Sequence, residues 1–111
     1  MSPSHVVTLR DEHDGADHRH LVAYLDDEGA LHIDGQDLGP GTAPVSEDGE
    51  YEWFRTIAAA DLPRLAALLG AYSGESILAV LSRKYTDRRS YDLERILRDS
   101  DIPQRLRVWS G

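Results

Sequence analysis

Cysteine is absent from the 111-residue sequence, which removes disulfide staples, thiolate metal sites and a cysteine nucleophile and leaves packing to hold the fold. Long apolar runs are missing as well, and none approaches the roughly 20 residues that a helix needs to cross a bilayer. Met1 to His5 carry no basic stretch followed by an apolar one, so the expected compartment is the cytosol rather than a membrane or the secretory route. Leu, Ile, Val and Phe make up only 26 of the 111 residues, a composition just above that of disordered chains. A modest core is available, and the length suits one domain spanning residues 1–111.

Positive charge is also scarce. Twenty acidic residues face 12 basic ones, for a net charge of −8 and an isoelectric point near 4.9. A field of that sign opposes nonspecific binding to nucleic acid. The deficit is local: 14 acids and 3 bases lie in residues 1–61, while residues 62–111 hold 6 acids and 9 bases. Opposite signs in the two segments either attract each other within the fold or stay solvated, and the sharper alternative is a partner-binding surface.

What the sequence does contain is alternation followed by helical periodicity. In His5 to Arg10, His5, Val7 and Leu9 take one side and Val6, Thr8 and Arg10 the other, as in a strand. Asp11 to Arg19 reads as a polar connection containing the turn pair Asp14-Gly15. His20 to Asp26 is a second strand with Leu21, Ala23 and Leu25 on one face, and Glu28-Gly29 turns the chain into a third at Ala30 to Asp34. Gly35 to Gly49, rich in glycine and holding Pro40 and Pro44, reads as the longest loop. Glu50 to Ile57 resumes extended structure, with Tyr51, Trp53 and Ile57 sharing a face.

Helices follow. Asp61 is placed to cap the first, with Pro63 in its first turn, Leu62, Leu65, Ala66 and Leu69 inward, and Gly70 just past its end. A second is expected over Glu75 to Tyr85, capped by Ser73, with Ile77, Leu78, Leu81 and Tyr85 inward. Ser90 reads as the cap of a third, whose Leu93, Ile96 and Leu97 face the core. Pro103 stops it, and Gln104 to Trp109 alternates Leu106 and Val108 against charged or aromatic residues, as a half-buried closing strand does. The order ββββαααβ predicts an α+β fold: a mainly antiparallel sheet of four to five strands with three helices packed on one face.

His20 to Gly41, Glu50 to Thr56 and Asp101 to Gly111, under half of the chain, give it the look of a known group. In these stretches it resembles small uncharacterised acidic proteins of high-GC actinobacteria. The resemblance implies a bacterial cytosolic origin and no site.

Several chemistries can be weighed directly. His13, Asp14, Asp17, His18 and His20 offer the imidazole and carboxylate donors that Zn²⁺, Ni²⁺ or Cu²⁺ take, although a solvated hairpin connection is the default reading of them. Asp34 to Gly39 lacks the ligand spacing of a calcium loop and has no following Gly-Lys-Ser/Thr for phosphate. No Gly-x-Ser-x-Gly elbow surrounds any serine. Arg83, Lys84, Arg88 and Arg89 around Tyr85 and Tyr91 form a basic aromatic patch, but Asp92 and Glu94 sit where a DNA-reading helix needs donors. The sequence assigns no catalytic residue, no cofactor and no metal ligand, and an enzyme is the less favoured class.

The leading expectation is a noncatalytic, cytosolic protein-binding module with an acidic surface, in one version an immunity or inhibitor protein for a basic partner. Its contact residues would be Asp26, Asp27, Glu28, Asp34, Asp37, Glu47, Asp48, Glu50 and Glu52, with Tyr51 and Trp53 as aromatic anchors. The alternatives are a small metal-dependent protein using the His13 to His20 cluster and a homodimeric structural domain. Nucleic-acid and membrane partners are disfavoured.

Overall fold

A computed structural model describes residues 5–39 and 50–110. Five strands, β1 (Val6–Asp14), β2 (Asp17–Leu25), β3 (Leu31–Leu38), β4 (Glu50–Ile57) and β5 (Arg105–Ser110), form one antiparallel sheet in the order β1-β2-β3-β4-β5. Helices α1 (Leu62–Leu68), α2 (Ile77–Lys84) and α3 (Arg89–Asp99) lie between β4 and β5 in the chain. The fold is α+β in the expected order.

Alternation decides which face is covered. Val7, Leu9, Leu21, Ala23, Leu31, Ile33, Trp53 and Ile57 project from one side of β1 to β4 and join Leu65, Leu69, Ile77, Val80, Leu81, Tyr85, Leu93, Leu97 and Ile102 in one apolar cluster. At roughly 25 cal/mol per Å² of apolar surface removed from water, this layer supplies the main driving force for folding. Val80, missed in the sequence pattern of α2, is fully buried.

The register corrects four expectations. Asp11 to Arg19 is not a loose connection: the strands extend to Asp14 and Asp17 and turn through Gly15 at φ +61°. A tight turn lets the ladder run to its end, so polarity alone did not break it. The register between β1 and β2 slips at Leu9, a bulge that puts the following side chain on the opposite face from simple alternation. Arg10, expected outward, is therefore buried at 2% exposure. The freed Leu9 carbonyl accepts a hydrogen bond from Asp87 N at 2.7 Å, which docks the α2–α3 link onto β1.

Gly35 to Leu38 belong to β3 rather than to a loop. Glycine serves a close approach here, since a Cβ at position 35 would stand 2.2 Å from the Trp53 ring. Of the remainder of the expected loop, Gly39 follows β3 at φ +107° and residues 40–49 lie outside the described residues. Leu106 and Val108 do not join the core: they stay 51% and 53% exposed on β5, an edge strand.

The caps also differ. Ser76, not Ser73, caps α2, its Oγ accepting from Ala79 N at 3.2 Å. Ser90 sits inside α3 and is buried. Gly70 takes φ +81° after α1, as its position predicted.

Candidate functional site

The opposite face of the sheet is covered by no described element. Period-two geometry places Asp11, His13, His18, His20, Tyr24, His32, Asp34, Gln36, Glu50, Glu52, Phe54, Arg105, Arg107 and Trp109 on it. At one end a groove of about 800 Å³ opens between Tyr24, His32 and Asp34 on one wall and Gln104, Arg105 and Arg107 on the other. Phe54 and Thr56 also line it, and Glu28 stands at its margin.

Several of these groups are fixed before any ligand arrives. Asp26 Oδ1 accepts from Glu28 N at 2.9 Å and Ala30 N at 3.0 Å, closing the β2–β3 turn, while its Oδ2 bonds His32 Nε2 at 2.8 Å. The His32 bond, with the backbone donors behind it, holds the Asp26 carboxyl below its ordinary range. The His32 ring stacks on Tyr24 at 4.9 Å, and the Tyr24 hydroxyl donates to Asp34 Oδ2 at 3.1 Å. Burial pushes the Asp34 carboxyl upward, against the Tyr24 hydrogen bond and the charges of His32 and Arg107. Gln36 Nε2 donates to Glu52 Oε1 at 2.8 Å in the middle of the face.

At the far end of the same face, the β1–β2 hairpin gathers imidazoles around one carboxylate. His13 and His18 are cross-strand partners, as are Asp11 and His20. His18 Nε2 lies 2.7 Å and His13 Nε2 3.3 Å from Asp11 Oδ1, and the two rings stack at 4.0 Å with 12° between their planes. The His18 hydrogen bond is the main cause of a lowered Asp11 pKa. Asp14 and Asp17 face each other beside the turn, apart from this group.

The expected contact residues divide between regions. Asp26, Glu28, Asp34, Glu50 and Glu52 belong to the uncovered face or its margin, and Asp27 is exposed in the adjoining turn. Asp37, Tyr51 and Trp53 occupy the helix-covered side, where Asp37 bonds Arg19 at 3.1 Å and burial raises its carboxyl pKa. Trp53 is 8% exposed and belongs to the core. Glu47 and Asp48 lie outside the described residues.

Sequence reasoning missed the polar network under α3. Arg10 Nε donates to Ser90 Oγ at 2.8 Å and its Nη2 to Glu94 Oε1 at 2.6 Å, while Glu94 Oε2 accepts from Trp53 Nε1 at 2.9 Å. The Arg10 guanidinium also lies 3.6 Å over the Tyr91 ring. Trp53 and Glu94 were both visible in the sequence; the bulge that turns Arg10 toward them was not. Within the basic patch, Arg83 clamps Glu75 at 2.7 Å, Lys84 Nζ donates to Leu69 O at 3.1 Å, and Tyr85 is buried. These three side chains close the end of α1 and secure the α2 entrance.

Comparison with protein-family models, with curated proteins and with solved structures finds no match to this chain.

Proposed function

We propose that the chain is a noncatalytic binding module whose uncovered sheet face receives a basic protein, with immunity or inhibitor action as one form of that role. The observation that carries this reading is the sorting of carboxylate contacts by chain segment. Asp11, Asp26 and Asp37 pair with His13, His18, His32 and Arg19 of the strands, whereas Arg64, Arg83, Arg95 and Arg98 pair with Asp101, Glu75, Asp92 and Asp99 of the later segment. Among the described residues Arg10 with Glu94 is the crossing pair, and it is internal. Those four arginines are thus engaged by their own neighbours, while Arg105 and Arg107 share the uncovered face with five carboxylates, Asp11, Asp26, Asp34, Glu50 and Glu52. Such a surface speeds encounter with a positive partner and disfavours anionic ones.

The test is capture of partners on the immobilised chain, compared with a Glu28→Gln, Asp34→Asn, Glu52→Gln variant. The expected result is a basic protein held stoichiometrically by the parent, released by raising salt from about 0.05 to about 0.5 M, and lost by the variant. A partner retained equally by the variant, or indifferent to salt, contradicts the reading.

A second reading, a homodimer, is favoured by β5. Leu106, Val108 and Trp109 are about half exposed on an edge strand, so a second copy adding its own β5 antiparallel would cover apolar groups and pair open backbone groups at once. Sedimentation of the parent as a dimer, converted to monomer by Val108→Lys, is the expected outcome; a monomer at all concentrations rejects it.

A further inference from the structure

We propose that Asp11, His13 and His18 form a binding site for a divalent transition-metal ion of the Zn²⁺, Ni²⁺ or Cu²⁺ class. The site is built by strand register rather than by a loop. His13 and His18 face each other directly across β1 and β2, and Asp11 lies two residues back on the same face, so the backbone ladder itself brings three donors together. Their ligating atoms all lie within 4.8 Å of one another.

The distances suit an ion. Metal–nitrogen bonds of about 2.0–2.1 Å in a tetrahedron put neighbouring donors about 3.3 Å apart. Asp11 Oδ1 and His13 Nε2 are already 3.3 Å apart, and the 2.7 Å hydrogen bond to His18 needs to open by only about half an ångström on that scale. His18 Nε2 is hydrogen-bonded to Asp11 Oδ1, and His13 Nε2 stands beside the same oxygen. Rotation of the stacked rings turns both Nε2 atoms toward an ion beside Asp11 Oδ1, which then takes all three donors at once. Two imidazoles and a carboxylate are borderline donors, which favours these ions over Mg²⁺ or Ca²⁺.

The side chains of Asp11, His13 and His18 are 55%, 66% and 30% exposed, so the remaining coordination positions face water. His20, opposite Asp11 in the register with its ring 5.7 Å from that of His18, is the next donor on the face. The other imidazole–carboxylate pair, Asp26 with His32, supplies an internal control. There a single imidazole meets a carboxylate already engaged by two backbone N–H groups, and the ring is stacked on Tyr24.

The experiment is calorimetric titration of the untagged full chain with Zn²⁺ and with Ni²⁺. His13→Thr, His18→Thr and Asp11→Asn are compared with His32→Thr, threonine being chosen because it favours strands. The expected result is one ion per chain, an affinity at least about tenfold weaker in each of the first three variants, and no change in His32→Thr. Modification by diethyl pyrocarbonate, read by mass spectrometry on the parent chain, gives a measure independent of variant folding: Zn²⁺ protects His13 and His18 and leaves His32 reactive. Absence of binding to the parent, equal affinity in His13→Thr and His18→Thr, or equal loss in His32→Thr overturns the proposal.

Discussion

At Arg10, position in the ladder outweighs residue type. Its side chain is 2% exposed and its partner Glu94 20%, so the pair is largely withdrawn from water and is further tied to Ser90, Trp53 and Tyr91. Arg10→Ala strands the carboxylate with the indole N–H, and a loss of about 3 kcal/mol is expected in denaturant unfolding. Arg10→Met with Glu94→Leu should recover part of that loss, because both charges of the pair go together while the Trp53 indole N–H still loses its acceptor. Gly35→Ala drives a methyl into the Trp53 ring and should cost about 3 kcal/mol, with altered Trp fluorescence as the local reporter.

Asp34 supplies a pH test of the opposite kind. Its pKa is raised above the ordinary 3.8, so at neutral pH the ionised form opposes folding, and the opposition fades as pH falls through the raised value. Asp34→Asn should therefore melt higher than the parent at about pH 7 and lose that advantage by about pH 3. Equal melting temperatures at both pH values would contradict the burial of this carboxyl. Glu75 has the reverse sign: the Arg83 clamp lowers it from 4.5 to about 2, so its contribution is present above pH 4.5 and is lost as pH falls toward 2.

Among the elements, those with an unbroken period were legible and those shaped by a neighbour were not. Leu21 and Ala23 announced β2, and Leu65, Leu69 and Gly70 announced α1 and its end, because each pattern reports the face it buries. The β1 bulge has no local signature in Val7 to Arg10; it is stabilised from afar by Asp87, at φ +58°, bonding the Leu9 carbonyl. Gly35 looked like a loop residue because the Trp53 ring it accommodates is far along the chain. Ser73 was the expected cap, but Ser76 takes that place, behind a turn held by Glu75, whose Oε1 accepts from Tyr72 N. Ser76→Ala should cost about 1 kcal/mol and Ser73→Ala close to nothing, read from thermal melts. Equal effects would place the start of α2 elsewhere.

For the whole molecule, the acidic segment supplies four of the five strands, and the register divides its carboxylates between two faces. The helices seal the side that carries Glu12 and Asp37, while the other side carries Asp26 and Asp34 at the groove, Glu52 in mid-face and Glu50 beyond it. Charge counting reached that far, but it could not separate the two sides. Asp37, Tyr51 and Trp53 alternate with the uncovered residues and so fall on the covered side. The hairpin histidines were visible as donors, while their convergence on Asp11 required the extended register of β1 with β2.

The most direct measurement of the role assigned to the uncovered face is hydroxyl-radical footprinting of side chains with and without the captured basic partner. Protection of Tyr24, His32 and Phe54, with Tyr72 and Tyr91 unchanged, is the predicted outcome; protection confined to Tyr72 and Tyr91 would contradict it.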